Sequence, residues 1–546
     1  MSIRSVTPKS LSEGQKTTNS GANRQVYDWS HYQKAIFDFH DNGTGDVFIS
    51  AAAGSSKTTT LIECAHRLPE YMKNKALFVA YNKHIADELG QRLPSGVRSQ
   101  TIQSLGLGMI NRWLRDTHSI EKATIEKNKY TYLCKNAMKA NGFDKNHEKY
   151  KHIYDLTKTL THYCQVTLTD YNNQNAVIKL AHDFNIEAPE QDLAIASRLV
   201  KIVLYWGIHG MPEDDENPHA KLYSPKECIS YNDMIWLPHQ ISMPSYTYER
   251  IYVDESQDLS AAQRELILKL RRNNGRIFFV GDKRQAIYSF AGADARSVES
   301  IIEKTKCKIL PLSISYRCAQ KHVLLAKTLV NEIEAWDKAP EGILESINMA
   351  NFLNQVKNGE FVLCRMTAPL VELALALIAR RKKAYVKGRD IGDGLITLID
   401  TVADSDFCTS SDEFIDTLNM ITTEMAQNML KNDEFEGQMQ AEVLFDKRDA
   451  ITVMFNQTIG DNRIESLKHM IENMFAEDSD GICLSTIHKA KGCEADTVYI
   501  LKNDIMPLKR AYGNPIQLSQ EYNLMYVAYT RSKNALYFID QPVPEH

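Results

Sequence analysis

The stretch DVFISAAAGSSKTTTLIECAHRL, residues 46–68, decides the fold. Val47-Phe48-Ile49 is a short apolar run, Ala51 to Ser56 is small and turn-like, and Thr58 to Leu68 has helical character, stopped before Pro69. Outward from it lie further apolar runs: Ala76-Leu77-Phe78-Val79, Ile251-Tyr252-Val253 and Arg276-Ile277-Phe278-Phe279-Val280. Continuous apolar runs that end in polar residues are the pattern of strands buried on both faces of a parallel sheet. The expectation is a doubly wound α/β core whose site lies at the carboxyl ends of its strands.

The chain has 546 residues, enough for roughly three or four domains. Hydrophobic residues at 43% and charged residues at 24% exclude wholesale disorder. No stretch approaches the ~20 apolar residues of a spanning helix, and residues 1–25 lack an apolar signal core. The expectation is a soluble, unexported protein without a membrane partner, cytoplasmic, or nuclear in a eukaryote. A net charge of -5 neither demands nor excludes nucleic acid, because phosphate binding is local. The ten cysteines form no C-x-x-C pair, so no zinc or iron–sulfur spacing arises, and Cys64 and Cys483 read as small buried apolar groups.

Residues 1–25 read as a mobile tail. Residues 26–105 and 225–307 form a first α/β lobe, split by a mostly helical insertion at 106–224. A second lobe covers 308–395 and 480–546, opening near Lys308-Ile309-Leu310 and interrupted by a reduced helical insertion at 396–479. The acidic run Glu213 to Glu216, flanked by prolines, reads as a solvated loop rather than a metal site.

Ala51 to Thr60, AAAGSSKTTT, follows a strand and opens a helix, the arrangement that turns backbone N–H groups toward phosphates. Ala53, Gly54, Ser55, Ser56, Lys57, Thr58 and Thr59 form the candidate cradle. Lys57 would reach the β- and γ-phosphates, and the Thr58 hydroxyl would hold Mg²⁺. In IYVDESQDL, Asp254 would share that Mg²⁺ and Glu255 would orient or deprotonate the attacking water. In VGDKRQAIYSFAGAD, Gln285 is a candidate γ-phosphate sensor. Tyr288 and Phe290 could stack on bases, with core packing the alternative for Tyr288. Arg317 and Arg531 would bring positive charge from the second lobe to a transferring phosphoryl group. ATP would then sit between the lobes, and hydrolysis would open and close the cleft.

This ordered set resembles superfamily 1 DNA helicases of the UvrD/Rep/PcrA type, and is similar to the helicase part of the F-box DNA helicases. The resemblance spans roughly residues 26–540 and implies two RecA-like P-loop lobes. It implies adenine recognition by Gln33 and stacking by Tyr316, ribose contact by Glu494 and an arginine finger at Arg531. It further implies DNA contacts at Tyr81, Asn82, Thr101, Thr486 and His488, besides Tyr288 and Phe290. Three residues depart from the family pattern: Ser56 replaces a glycine, Gln103 a histidine, and Phe290 a common tryptophan. Serine at position 56 disfavours positive φ, which the loop must either adopt or avoid.

The resemblance implies an ATP-dependent motor on single-stranded DNA, moving 3′→5′ and opening duplex at junctions. Recombinase or replication proteins are candidate partners. The reduced second insertion motivates an alternative, a translocase that strips proteins from DNA. Ser56 motivates another, a nucleic-acid binding protein with a weak ATPase. The N-terminal tail is short for an F-box, and the chain ends soon after Arg531. Neither a ubiquitin-ligase subunit nor a helicase–nuclease is expected.

Overall fold

The computed structural model describes residues 28–544 except 81, 144–147, 185, 187, 214–220, 288–295, 406–407, 409, 433–435, 461 and 477–479. Six strands make the first sheet: β1 (Val47–Ala51), β2 (Ala76–Ala80), β3 (Arg98–Thr101), β4 (Tyr248–Val253), β5 (Arg271–Gly281) and β6 (Lys308–Leu312). Their order is β3-β2-β4-β5-β1-β6, and every pairing is parallel. The apolar runs of β1, β2, β4 and β5 fill the interior, as Val47, Phe78, Tyr252 and Phe278 are all buried. The edge strand β3, RSQT, needs no apolar run because it has one neighbour only.

The first sheet corrects one reading. Lys308–Leu312 does not open the second lobe; it pairs with β1, Phe48 facing Ile309 and Ile49 facing Leu310. As an edge strand it buries only Leu312 fully, so its apolar pattern carries no information about which sheet it joins.

A short ladder, β7 (Ile314–Ser315) with β8 (Glu334–Ala335), leads into the second sheet. That sheet holds β9 (Ile343–Ile347), β10 (Phe361–Cys364), β11 (Ala384–Lys387), β12 (Phe475–Ala476), β13 (Ile482–Thr486), β14 (Ala495–Leu501) and β15 (Ser532–Ile539). Its order is β12-β11-β13-β10-β14-β15-β9, again parallel throughout. Parallel neighbours need long crossovers, so each sheet is laced by helices.

Helices Ile102–His118, Lys129–Ala140, Glu148–Thr167, Gln174–Asp183, Glu190–His209 and Asp233–Gln240 fill the connection from β3 to β4. Gly106 lets the first of them touch the last: a Cβ there would stand 1.6 Å from the Met234 carbonyl oxygen. Inside this block the Lys129 ammonium donates to Asp233 at 2.8 Å, and both side chains are fully buried.

The second helical block, with helices Arg389–Ala403, Phe414–Asn432, Glu436–Phe455 and Arg463–Met474, lies between β11 and β12. Phe414, Leu418, Ile451 and Phe455 join Val362 and Leu484 of the second sheet in one continuous core. Asp446 also accepts the N–H groups of Thr367 and Ala368 at 2.7 and 2.8 Å, where the helix after β10 begins. Among the described residues no helix is long and apolar enough to cross a membrane. Cys64 and Cys483 are buried free thiols.

Candidate nucleotide site between the sheets

The phosphate-loop candidate leaves the carboxyl end of β1 and opens helix α2 (Lys57–His66), the second helix among the described residues; α1 is His31–Asn42. Gly54 turns at φ 73°, and Ser56, just before α2, adopts φ 61° and ψ 40°. The serine therefore takes the left-handed turn rather than avoiding it, and its hydroxyl caps nothing in the helix. A Cβ on Gly54 would stand 2.6 Å from Arg317 Cβ and 2.8 Å from Ser315 Oγ. The Tyr316 N–H donates to the Gly54 carbonyl at 2.9 Å, so the Arg317 segment lies directly on the loop. Ser55 is fully buried, and Thr59 accepts from Arg92 at 3.4 Å.

The strand β4 delivers the acids. Thr58 Oγ1 donates to Asp254 Oδ2 at 2.5 Å, and Lys57 Nζ to Glu255 Oε2 at 2.9 Å. Burial alone would lower the Lys57 ammonium, but the carboxylates of Glu255, Asp254 and Asp282 hold it above its ordinary value. Burial pushes Glu255 up; Lys57 and the Gln257 amide outweigh it and keep the carboxyl well below the usual range. Asp254 moves the other way, raised by burial and by the charge of Glu255. Three carboxylates around one lysine leave spare negative charge. A hydroxyl and a carboxylate side by side are hard oxygen donors, a set that fits Mg²⁺ completed by water and phosphate oxygens.

The cations come from beyond the first sheet: Arg531 stands just before β15 of the second sheet, and Arg317 just after β7 of the short ladder. Arg531, buried, reaches across to Gln285 Oε1 at 3.4 Å and donates to the carbonyls of Val527 and Cys493 at 2.9 and 3.3 Å. Burial and the neighbouring Arg317 lower Arg531 to about 10, still charged at neutral pH. Two guanidiniums close enough to repel each other suit an anion beside them. Arg317 Nε donates to Glu494 Oε2 at 2.5 Å, and Lys533 pairs with the same carboxylate at 2.9 Å. The Ala53 N–H of the loop donates to Tyr526 Oη at 2.8 Å, a direct bond between the two lobes.

Gln33, on α1, is buried and accepts from Tyr316 Oη at 3.1 Å. Its amide nitrogen donates to Thr60 at 3.1 Å, and it closes a capping box with Ser30. The rings of Tyr316 and Trp336 lie 5.8 Å apart, tilted. Gln33, Tyr316, the candidate phosphate loop, Arg317 and Glu494 are thus brought together from positions 33 to 494 of the chain.

Asn82, Thr101 and Thr486 stand just beyond or at the carboxyl ends of β2, β3 and β13, the edge of each sheet that also carries the cleft. Asn82 and Thr101 cap helices, accepting from Ile85 and Ser104 N–H at 2.9 and 3.2 Å. Thr486 is buried and accepts from the Lys489 N–H at 3.4 Å. His488 is half-buried, and burial with the charges of Arg365 and Lys489 pushes it down to about 3, so it is neutral. Tyr81, Tyr288 and Phe290 lie outside the described residues.

Three residues that the sequence reading did not single out enter the site. Asp282 accepts from Gln285 Nε2 at 2.6 Å, Tyr526 holds the loop, and Lys491 joins the two lobes. Asp282 lies in VGDKRQAIYSFAGAD, Tyr526 lies five residues before Arg531 and Lys491 three before Glu494, but no local pattern sets any of them apart from its neighbours.

A candidate phosphate loop on one parallel sheet, faced by one arginine from a second sheet and another from the ladder between them, fits a two-lobed P-loop protein. Residues 32–306 match the UvrD/REP helicase N-terminal domain, and the chain belongs to this family. It is 23% identical over 530 residues to F-box DNA helicase 1 of Gallus gallus, covering 93% of this chain and 48% of the relative. It is 24% identical over 550 residues to F-box DNA helicase protein 1 of Schizosaccharomyces pombe, covering 93% and 57%. To DNA helicase II of Escherichia coli it is 22% identical over 233 residues, 34% of this chain and 32% of that one. The chain spans about half the length of the F-box relatives it matches.

Proposed function

We propose that this chain is an ATP-dependent DNA helicase that advances 3′→5′ on single-stranded DNA and separates strands at a duplex junction. The observation that carries the ATPase part is the polar cluster joining Lys57, Glu255, Gln285 and Arg531 across the two sheets. DNA as the track is supported by the family and by the relatives' names. The polarity is the family's, carried over.

In this reading Lys57, Arg317 and Arg531 bind the phosphates, displacing part of their present pairing with Glu255 and Glu494. Gln33 and Tyr316 take the adenine, and Glu494 takes the ribose. Glu255, kept ionised by Lys57, accepts a proton from the attacking water as its oxygen bonds to the γ-phosphorus and the bond to ADP breaks. Mg²⁺, held by Thr58 and Asp254, would neutralise phosphate charge. Asn82, Thr101, Thr486 and His488, with Tyr81, Tyr288 and Phe290, are the proposed DNA contacts. Arg531 reaches Gln285 only when the sheets are together, so turnover and cleft closure are linked.

Steady-state ATPase with and without single-stranded DNA, wild type against Glu255→Gln, tests the reading. The expected result is strong stimulation by DNA and a fall of about 10²–10⁴ in the variant. Turnover in wild type that ignores DNA would sink it. Partial duplexes with 3′ or 5′ tails then test polarity. The protein-stripping alternative draws support from the second helical block, which packs into the second sheet's own core. Displacement of a recombinase filament without strand separation would favour it.

A further inference from the structure

Lys491 lies in the turn between β13 and β14, on the second sheet. Its ammonium donates to both oxygens of Asp258 at 2.7 Å and to the Gln285 carbonyl at 2.6 Å. Asp258 ends the turn after β4, and Gln285 ends the turn after β5. One lysine thus grips two strand ends of the opposite sheet, and the side chains of the pair are only 9% and 6% exposed. At that burial a charge pair is little screened, and three acceptors match the three N–H bonds of an ammonium.

Asp258 does not stand alone. Gln257 Nε2 donates to Asp258 Oδ2 at 3.1 Å and to Glu255 Oε2 at 2.6 Å. Gln257 Oε1 in turn accepts the Asp282 N–H at 3.1 Å. A continuous path therefore runs from Lys491 through Asp258 and Gln257 to Glu255, and from Lys491 to the backbone of Gln285. Separating the sheets by more than a hydrogen bond's tolerance releases Asp258, and with it the amide that aims Glu255.

We propose that Lys491 is a positioning residue for ATP hydrolysis: it makes the orientation of Glu255 and Gln285 depend on the second sheet being docked. This rests on the ATPase reading above. It adds that the link between lobes is carried by a lysine clasp at the foot of the acids, as well as by the arginines at the phosphates.

The test compares wild type, Lys491→Met, Lys491→Arg, Asp258→Asn and the double variant Lys491→Met/Asp258→Asn. Expected for Lys491→Met is about a tenfold or greater loss of DNA-stimulated kcat. KM for ATP should stay within about twofold, since no phosphate contact is removed. Lys491→Arg should recover part of the rate, and the double variant should be no worse than the poorer single. An undiminished stimulation in Lys491→Met, or losses that multiply in the double variant, would overturn the proposal. Hydrogen exchange supplies a readout apart from turnover. Amides of 252–258 and 486–494 should exchange faster together in Lys491→Met at unchanged unfolding temperature, and unchanged protection there would also overturn it. If wild type shows no DNA-stimulated ATPase, the functional reading fails, while the exchange result still decides the clasp.

Discussion

Replacing Lys129 by methionine keeps the length of the side chain and removes its charge. The ammonium donates to Asp233 Oδ2 at 2.8 Å and to the Gly207 carbonyl at 2.9 Å, in a site closed to water. Asp233 would keep the Tyr130 hydroxyl at 2.5 Å, the Ser230 N–H at 2.9 Å and the Gln165 amide at 3.4 Å. Breaking a buried pair from one side costs about 3–5 kcal/mol. Three remaining donors place Lys129→Met near the low end, about 3 kcal/mol. For a block of this size that lowers the unfolding temperature by roughly 6–12 °C. Removing both charges, with Lys129→Met and Asp233→Leu together, strands no ion and should recover much of the loss. Trp113, Trp206 and Trp236 lie in this helical block, so urea unfolding followed by tryptophan fluorescence reports on it. A single variant within about 0.5 kcal/mol of wild type, or a double variant as unstable as the single, would refute the reasoning.

Arg531→Lys keeps the charge but not the planar fork that meets Val527, Cys493 and Gln285. Its kcat should fall about 10³-fold, with single-strand affinity by fluorescence anisotropy unchanged. Gly106→Ala drives a methyl into the Met234 carbonyl and should cost about 3 kcal/mol or abolish soluble expression, read by thermal unfolding. His40, buried against Tyr252 at 2.8 Å, is pushed down to about 4 chiefly by burial. The unfolded chain binds this proton first, so stability should be flat above pH ~6.5 and decline toward pH 4, by up to about 3 kcal/mol from this residue. In His40→Gln that decline should shrink when urea midpoints are compared across the same range.

Much of the first sheet was legible because its central strands are buried on both faces. β1, β2, β4 and β5 could be read directly from their apolar runs. The edges were not. β3 is polar, and β6 was assigned to the wrong sheet, since a strand with one neighbour has no obligation to be apolar. The candidate site was legible where its residues are neighbours in sequence: Lys57 with Thr58, and Asp254 with Glu255, each lie on one turn. It was illegible where a partner comes from afar. Lys491 meets an acid 233 positions upstream, and Tyr526 meets a backbone amide 473 positions upstream. Ser56 shows a third case. Its residue type argues against a positive φ, yet the loop imposes one, because strand and helix fix both ends of the turn.

The strand order of the first sheet also governs how the chain can be made. β1 leads into the candidate phosphate loop, but its two neighbours are β5 and β6, whose facing residues arrive more than two hundred positions later. At about 5–20 residues per second, the ribosome delivers them roughly 10–50 s after β1 has emerged. Through that interval an apolar strand waits unpaired while the helical block, built from local contacts, can already fold. The nascent chain therefore needs shielding at residues 47–51, and slow translation there exposes the segment that carries the candidate nucleotide loop.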